Sequence, residues 1–337
     1  MANAAPSTVL VTGPTLAPAA VAALQQAGLE VAFAGNYPDE ATLLASIGAR
    51  RPVALLHRVG RINAKVLAAG CPDLVVVARH GVGMDGVDIE AARALGITVV
   101  RPAGANAPAV AEHTMAVLLA LLKDLPATTA LMRTGRWEKT ARQTRDADAL
   151  TLGIVGYGAI GSRVARLAGA FGTNILAYDP YIPDELPGPG RKLPDLKAML
   201  SQCDAVSVHC PLNDETRGMI GAAELAAMPR GALVVNAARG GIVDEAELQA
   251  ALAEGQVAGA ALDVFNTEPL PADSAWRTHP NVIATPHVAG SSRRCVPAVA
   301  TRAAEYIVEV LAGRTPAQPG AVVVPGARLE RVGPPVA

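Results

Sequence analysis

Aromatic residues are scarce in this sequence, 3% of 337 residues, and neither sign of charge prevails: 29 Lys and Arg face 30 Asp and Glu, for a net charge of −1. Stacking platforms and a basic surface for nucleic acid are therefore not expected. The four cysteines (Cys71, Cys203, Cys210, Cys295) show no C-x-x-C spacing and lie in or beside apolar segments, a pattern of buried thiols with no disulfide framework and no metal site. Long apolar runs are missing too. Stretches such as residues 115–122 fall far short of a membrane span, and the N-terminus lacks the basic flank of a secretory signal, so a soluble cytoplasmic protein with no membrane partner is expected. What is abundant is aliphatic: 51% hydrophobic against 18% charged residues allows a sizeable core and two domains rather than one. Small molecules remain as the expected partners.

The chain has a rhythm. Over residues 9–100, short aliphatic runs (VLV, LEVAF, VALLH, LVVVA, ITVV) alternate with segments rich in Ala and Leu, which predicts a parallel sheet with helices on both faces. NAPAVAEHTMAVLLALLKD, residues 106–124, is apolar around most of a helical surface and reads as one helix buried at a domain or subunit interface. A second alternating series starts at Thr151: TLGIVG, NILAYD, AVSVHC, ALVVNAA, VAGAALDV and NVIATP. One more amphipathic helix is expected over residues 293–313, and the Pro- and Gly-rich tail beyond it reads as extended or loosely held chain.

Two G-x-G-x-x-G patterns compete for a dinucleotide: Gly81, Gly83, Gly86 in RHGVGMDGVD and Gly156, Gly158, Gly161 in GIVGYGAIG. Such a loop needs a strand before it, a helix opening at it, and an acid about 20 residues later at the end of the next strand. The second pattern has all three: TLGIVG, a helix over residues 159–171, and Asp179 closing NILAYD. Pyrophosphate would rest on the amides at the helix start, around Ala159, Ile160 and Gly161, and Asp179 would accept both ribose hydroxyls. A carboxylate there repels a 2′-phosphate, which favours NAD over NADP. In the first pattern the next strand ends in Arg101 and Pro102, and Asp85 inside the loop would oppose a pyrophosphate. It remains a glycine-rich turn at the carboxyl edge of a sheet, suited to a small substrate anion.

A nicotinamide cofactor requires a protein that orients a substrate and moves a proton. Three residues sit at expected strand ends of the second series: Arg239 after ALVVNAA, Glu268 after VAGAALDVFNT, and His287 after NVIATP. Arginine can grip a carboxylate and polarise a neighbouring carbonyl. Histidine can carry the proton, and a carboxylate such as Glu268 on its other ring nitrogen would fix the tautomer and favour the imidazolium.

NAARGGIVDEAELQAAL, AGAALDVFNTEP and NVIATPHVAG, with GIVGYGAIG and YDPY upstream, resemble the D-2-hydroxyacid dehydrogenase family over residues from about 50 to 310. The resemblance implies that Arg239 binds the substrate carboxylate and carbonyl, and that Glu268 supports His287 as acid and base. It further implies that Val82 and Gly83 face the carboxylate, and that Ala237, Asp263 and the turn from His209 to Pro211 line the nicotinamide and adenosine sites. The fold it implies is α/β with two doubly wound parallel-sheet domains and a cleft between them. A flavodoxin-like substrate domain would take residues 1–101 and a return helix over 291–315, a Rossmann NAD domain residues 102–290, and a tail residues 316–337. Members usually dimerise through the NAD domain, so a homodimer is expected.

Departures from relatives narrow the substrate. Formate dehydrogenases pair the histidine with glutamine, where this chain has Glu268, and phosphite dehydrogenases carry a lysine at the position matching Val82. Arg58 and Arg79 resemble two phosphate contacts of D-3-phosphoglycerate dehydrogenases, although matching Arg58 requires a short gap. The resemblance is nearest to these enzymes and to hydroxypyruvate reductases, which points to hydroxypyruvate or 3-phosphohydroxypyruvate, with glyoxylate and pyruvate as the alternative. The extra regulatory domain of many phosphoglycerate dehydrogenases has no counterpart here, so serine feedback is not expected. A different class, the NAD-sensing corepressors of this superfamily, keeps the same triad but is disfavoured by the lack of a long disordered arm or peptide-binding feature.

Overall fold

The computed structural model describes residues 7–140 and 143–326; the last part of the expected Pro/Gly-rich tail, residues 327–337, lies outside the described residues. The chain divides into two compact units, one drawn from Met1–Asn106 and Arg293–Ala337, the other Ala107–Ser292.

The first unit alternates β1 (Thr8–Val11), α1 (Pro18–Gln26), β2 (Glu30–Phe33), α2 (Glu40–Arg50), β3 (Ala54–His57), α3 (Ala64–Gly70), β4 (Val76–Arg79), α4 (Ile89–Ala94) and β5 (Thr98–Val100). β1, β3 and most of β4 are buried on both faces, which explains runs that are continuously aliphatic rather than alternating. Pairing is parallel in the order β2-β1-β3-β4-β5, the flavodoxin-like order, whose direction reverses between β1 and β3. Loops after these two strands, residues 12–15 and 58–60, therefore meet at the switch point where ligands of such sheets bind. The Asp88 carboxylate that ends RHGVGMDGVD accepts the Ala91 N–H at 2.9 Å, so this acid caps α4.

In the second unit α5 (Ala107–Leu122) is followed by α6 (Leu125–Arg133), then β6 (Thr151–Val155), α7 (Gly161–Ala170), β7 (Asn174–Tyr178), β8 (Arg191–Lys192), α8 (Leu196–Leu200) and β9 (Ala205–Val208). It continues with α9 (Ala222–Ala227), β10 (Ala232–Asn236), α10 (Glu245–Ala253), β11 (Val257–Leu262) and β12 (Val282–Ala284). The seven strands run parallel in the order β8-β7-β6-β9-β10-β11-β12, a Rossmann order reversing at β6. The chain then returns to the first unit with α11 (Cys295–Leu311), which packs on α1, and β13 (Val322–Val324).

One expectation is corrected and another is narrowed. The helix foreseen over residues 106–124 stops at Leu122, and the chain turns through 62° at Asp124, a non-glycine residue at φ 49°, into α6. The tail is not loose throughout: β13 pairs antiparallel with β5, while Gln318 accepts from the Tyr306 hydroxyl (2.6 Å) and donates to Ala103 O (2.5 Å). Val322 to Val324 form a run of three valines, a residue type suited to strands, but the partner strand lies more than 200 residues upstream, beyond any local signal.

Candidate active site

The glycine loop GYGAIG leaves β6 and opens α7, as its spacing required. Gly156 adopts φ 89°, and a Cβ on Gly161 would stand 2.1 Å from Gly156 O, so neither position accepts a side chain without moving backbone. A Cβ on Gly158 would meet nothing within 4 Å, which leaves the mouth of the loop open. The first backbone donor of the helical turn is Ser162, to Gly158 O at 3.1 Å; the amides before it point from a positive helix end. Asp179, just past β7, accepts Tyr157 N–H on Oδ2 (2.8 Å) and Tyr181 N–H on Oδ1 (3.0 Å), so its carboxylate is fixed at the rim with lone pairs to spare. These features fit the pyrophosphate and ribose of a dinucleotide. His209 follows β9; its Nε2 shares a hydrogen bond with Ser207 Oγ (2.8 Å), its Nδ1 is buried without a partner, and burial lowers its pKa to about 3. The ring is thus neutral at physiological pH.

The turns after β10, β11 and β12 carry the three residues expected to do chemistry. Asn236 shapes the first: its Oδ1 accepts Ala238 N–H (3.0 Å) and its Nδ2 donates to Arg239 O (2.8 Å). The next residue, Gly240, approaches Phe265 so closely that an added Cβ would lie 2.1 Å from Phe265 O. Arg239, half-buried, donates from Nη1 to Ala238 O at 2.6 Å. Glu268 accepts Phe265 N–H on Oε1 (3.0 Å) and meets His287 Nδ1 with Oε2 at 2.7 Å. Burial alone would raise the Glu268 carboxyl, but the bonds from His287 and Phe265 and the charges of His287 and Arg239 hold it below the usual carboxylate range. His287 is 49% exposed in its side chain, so the ring edge away from Glu268 is accessible.

Behind this pair stands Asp263, 2% exposed. Its Oδ1 accepts the Thr285 hydroxyl (2.6 Å) and Val288 N–H (2.8 Å), its Oδ2 accepts Ala289 N–H (2.8 Å), and its backbone carbonyl accepts His287 N–H (2.8 Å). One buried residue therefore braces both sides of His287, which sits at φ 54°, a left-handed conformation that needs such support. His113, from α5, approaches Thr285 Oγ1 at 3.4 Å and lines one recess with Ala237, Asp263 and Thr285.

In the first unit the other glycine loop follows β4, with Gly81 at φ 145°. Arg79 donates from Nε to Gly83 O (3.1 Å) and from Nη1 to His57 O (3.0 Å) and Arg58 O (2.6 Å), so these donors hold the loop. Arg101 adds a bond to Val82 O at 3.0 Å, which shapes the loop from the end of β5. Val82 and Gly83 are half-buried. Arg58 emerges at the switch point and donates from Nη1 to Thr15 Oγ1 (3.1 Å) and Thr15 O, while its own N–H bonds Thr12 Oγ1 (3.0 Å). His57 and His80, beside these arginines, are driven to pKa values of about 3 and about 4, by burial first and then by Arg79 and Arg58 respectively.

Reading the sequence missed Arg101, Asn236, Thr285 and His113. Asn236 had a local signal, since Asn two residues before a turning amide is an Asx-turn residue. The others act across long sequence separations that leave no spacing to detect.

A family model described as D-isomer specific 2-hydroxyacid dehydrogenase, NAD binding domain, matches residues 115–289. The chain is 42% identical over 242 residues to a D-3-phosphoglycerate dehydrogenase of Methanocaldococcus jannaschii, covering 71% of this chain and 46% of the relative. With that of Mycobacterium tuberculosis identity is 40% over 306 residues, 90% of this chain and 57% of the relative. The chain thus spans about half the length of the curated relatives it matches. Among solved structures, the TT0316 protein from Thermus thermophilus superposes with a TM-score of 0.84 at 37% identity, covering 94% of this chain and all of that one. Motifs, strand order and family model agree: the chain belongs to the D-isomer specific 2-hydroxyacid dehydrogenase family, and the unit Ala107–Ser292 carries its NAD-binding domain.

Proposed function

We propose that the protein is an NAD-dependent dehydrogenase that interconverts a 2-oxo acid of three carbons, with a polar or anionic tail, and its D-2-hydroxy acid. The observation that carries this reading is the Glu268–His287 pair at 2.7 Å, with the charge of Arg239 acting on Glu268, on the strand edge that also bears the glycine loop. Bound NAD supplies or accepts the hydride at the substrate's second carbon. Arg239 grips the carboxylate and polarises the adjacent carbonyl, as a two-pronged donor can. His287 hands the proton from Nε2 to the carbonyl oxygen during reduction and takes it back during oxidation, while Glu268 fixes Nδ1 as the donor toward itself. The amides of Val82 and Gly83 are assigned to the substrate carboxylate, by the family resemblance.

3-Phosphohydroxypyruvate and hydroxypyruvate are the favoured substrates. Support comes from relatives named D-3-phosphoglycerate dehydrogenase at about 40% identity and from Arg58 at the switch point of the first sheet. Arg58 is favoured over Arg79 for the tail, because Nε and Nη1 of Arg79 donate to three backbone carbonyls. A homodimer is part of the reading, supported by an apolar surface on and after α6 where Leu125, Met132 and Trp137 are exposed by 52%, 56% and 77%. The test is NADH consumption against glyoxylate, pyruvate, hydroxypyruvate, 3-phosphohydroxypyruvate and bulkier 2-oxo acids, with D and L alcohols in reverse. Preference for one of the two favoured acids with D selectivity is expected; turnover of glyoxylate or pyruvate alone would reject the substrate assignment.

A further inference from the structure

Asp179 is not the only carboxylate at the adenosine end of the glycine loop. β7 and β9 are the two neighbours of β6, so the segments that follow them flank the loop GYGAIG on either side. From the β7 side, Tyr181 follows Asp179 and has its N–H tied to Asp179 Oδ1 at 3.0 Å. On the β9 side, the turn residues 210–215 end in Asp214 and Glu215, held by an Asx turn in which Asn213 Oδ1 accepts Glu215 N–H (3.0 Å) and Thr216 N–H (2.9 Å). The Tyr181 hydroxyl donates to Glu215 Oε2, joining the two sides across the mouth of the loop, and both side chains are exposed. A dinucleotide held at this switch point would bring its adenosine ribose to Asp179, at the β7 end of that span.

We infer that Glu215, held in place by Tyr181, is a second determinant of cofactor choice that acts with Asp179 against a 2′-phosphate. The two carboxylates have different jobs. Asp179 accepts from the ribose hydroxyls directly, whereas Glu215 bonds to Tyr181 and acts through its charge. Strands two positions apart are about 10 Å from one another. At that distance in a water-filled groove, one negative charge weakens binding of a phosphate carrying nearly two by about fourfold at low salt. Salt near 0.5 M, where the screening length is about 4 Å, should erase most of this. A consequence is that replacing Asp179 alone leaves a residual bias against NADPH.

The inference rests on the dinucleotide site at GYGAIG, and calorimetric titration of the wild type with NADH and NADPH tests that site by itself. The decisive quantity is the ratio of the NADPH Kd to the NADH Kd. Glu215→Gln should lower this ratio about fourfold at low salt, and the difference from wild type should shrink to less than twofold in 0.5 M salt. Tyr181→Phe, which removes the hydroxyl but leaves the charge, should lower the ratio by less than Glu215→Gln does. An unchanged ratio in Glu215→Gln, a change undiminished by salt, or a larger change in Tyr181→Phe would each overturn the role given to Glu215. Absence of NADH binding to the wild type would overturn the underlying site as well.

Discussion

Replacing Glu268 by glutamine keeps the shape of the Glu268–His287 pair and removes its charge. The amide oxygen can still accept Phe265 N–H, now bonded at 3.0 Å, so the side chain stays in place and its NH2 group faces His287 Nδ1. Nδ1 must then accept rather than donate, and the ring carries its single proton on Nε2 as a neutral donor. A charge-assisted hydrogen bond is about twice as strong as a neutral one, a net difference of about 1 to 1.5 kcal/mol. Side-chain exposures of 49% and 35% admit solvent screening, which brings the value toward about 1 kcal/mol. At 1.36 kcal/mol per tenfold in rate, losing about 1 kcal/mol of support for the ring as it moves the proton lowers kcat for 2-oxo acid reduction about fivefold. Following NADH absorbance at saturating substrate measures this, with KM and the thermal midpoint nearly unchanged. An undiminished kcat would make the pair a surface ion bridge and remove His287 from proton transfer.

The remaining predictions concern the supports of the site. Asp263→Asn places an NH2 group against Ala289 N–H or Val288 N–H in a buried setting, costing about 2 kcal/mol of stability and a large part of kcat with little change in the NADH Kd; a loss confined to NADH affinity would make Asp263 a cofactor contact and not the brace of His287. Gly161→Ala drives a Cβ against Gly156 O, and NADH affinity measured by titration should fall more than tenfold, since only backbone movement relieves the clash; unaltered affinity would move the dinucleotide elsewhere. Acid should destabilise the fold through His57, His80 and His209, whose folded pKa values of about 3, 4 and 3 lie below the unfolded value near 6.5. The unfolded chain then binds protons that the folded chain refuses, so stability is complete above about pH 6.5 and is lost as pH falls. Between pH 6.5 and 5.5 each contributes about 1 kcal/mol, and urea midpoints that hold steady over that interval would refute the assignment of neutral buried rings.

Much of this protein is written locally. Aliphatic runs of four or five residues mark the parallel strands because a strand buried on both faces has no polar side to show, as β1 and β9 illustrate. Gly156 and Gly161 mark the glycine loop because a positive φ and a contact at 2.1 Å tolerate no side chain, and Asp179 stands just past the end of the next strand, where the spacing puts it. Arg239, Glu268 and His287 were expected after strand ends, and they stand in the turns after β10, β11 and β12. Tertiary structure alone decided how polar groups from distant segments are used. It tied donors of Arg79 to three carbonyls, assigned the Asp263 carboxylate to amides 25 and 26 residues onward, and joined Tyr181 to Glu215 across the glycine loop. It also turned part of a Pro/Gly-rich tail into a strand on β5. The physical reason is one of range: backbone conformation and burial period are set by residues within a turn or a strand, whereas a hydrogen bond between loops depends on where two strands are placed in a sheet, and strand order leaves no mark in the spacing of residues.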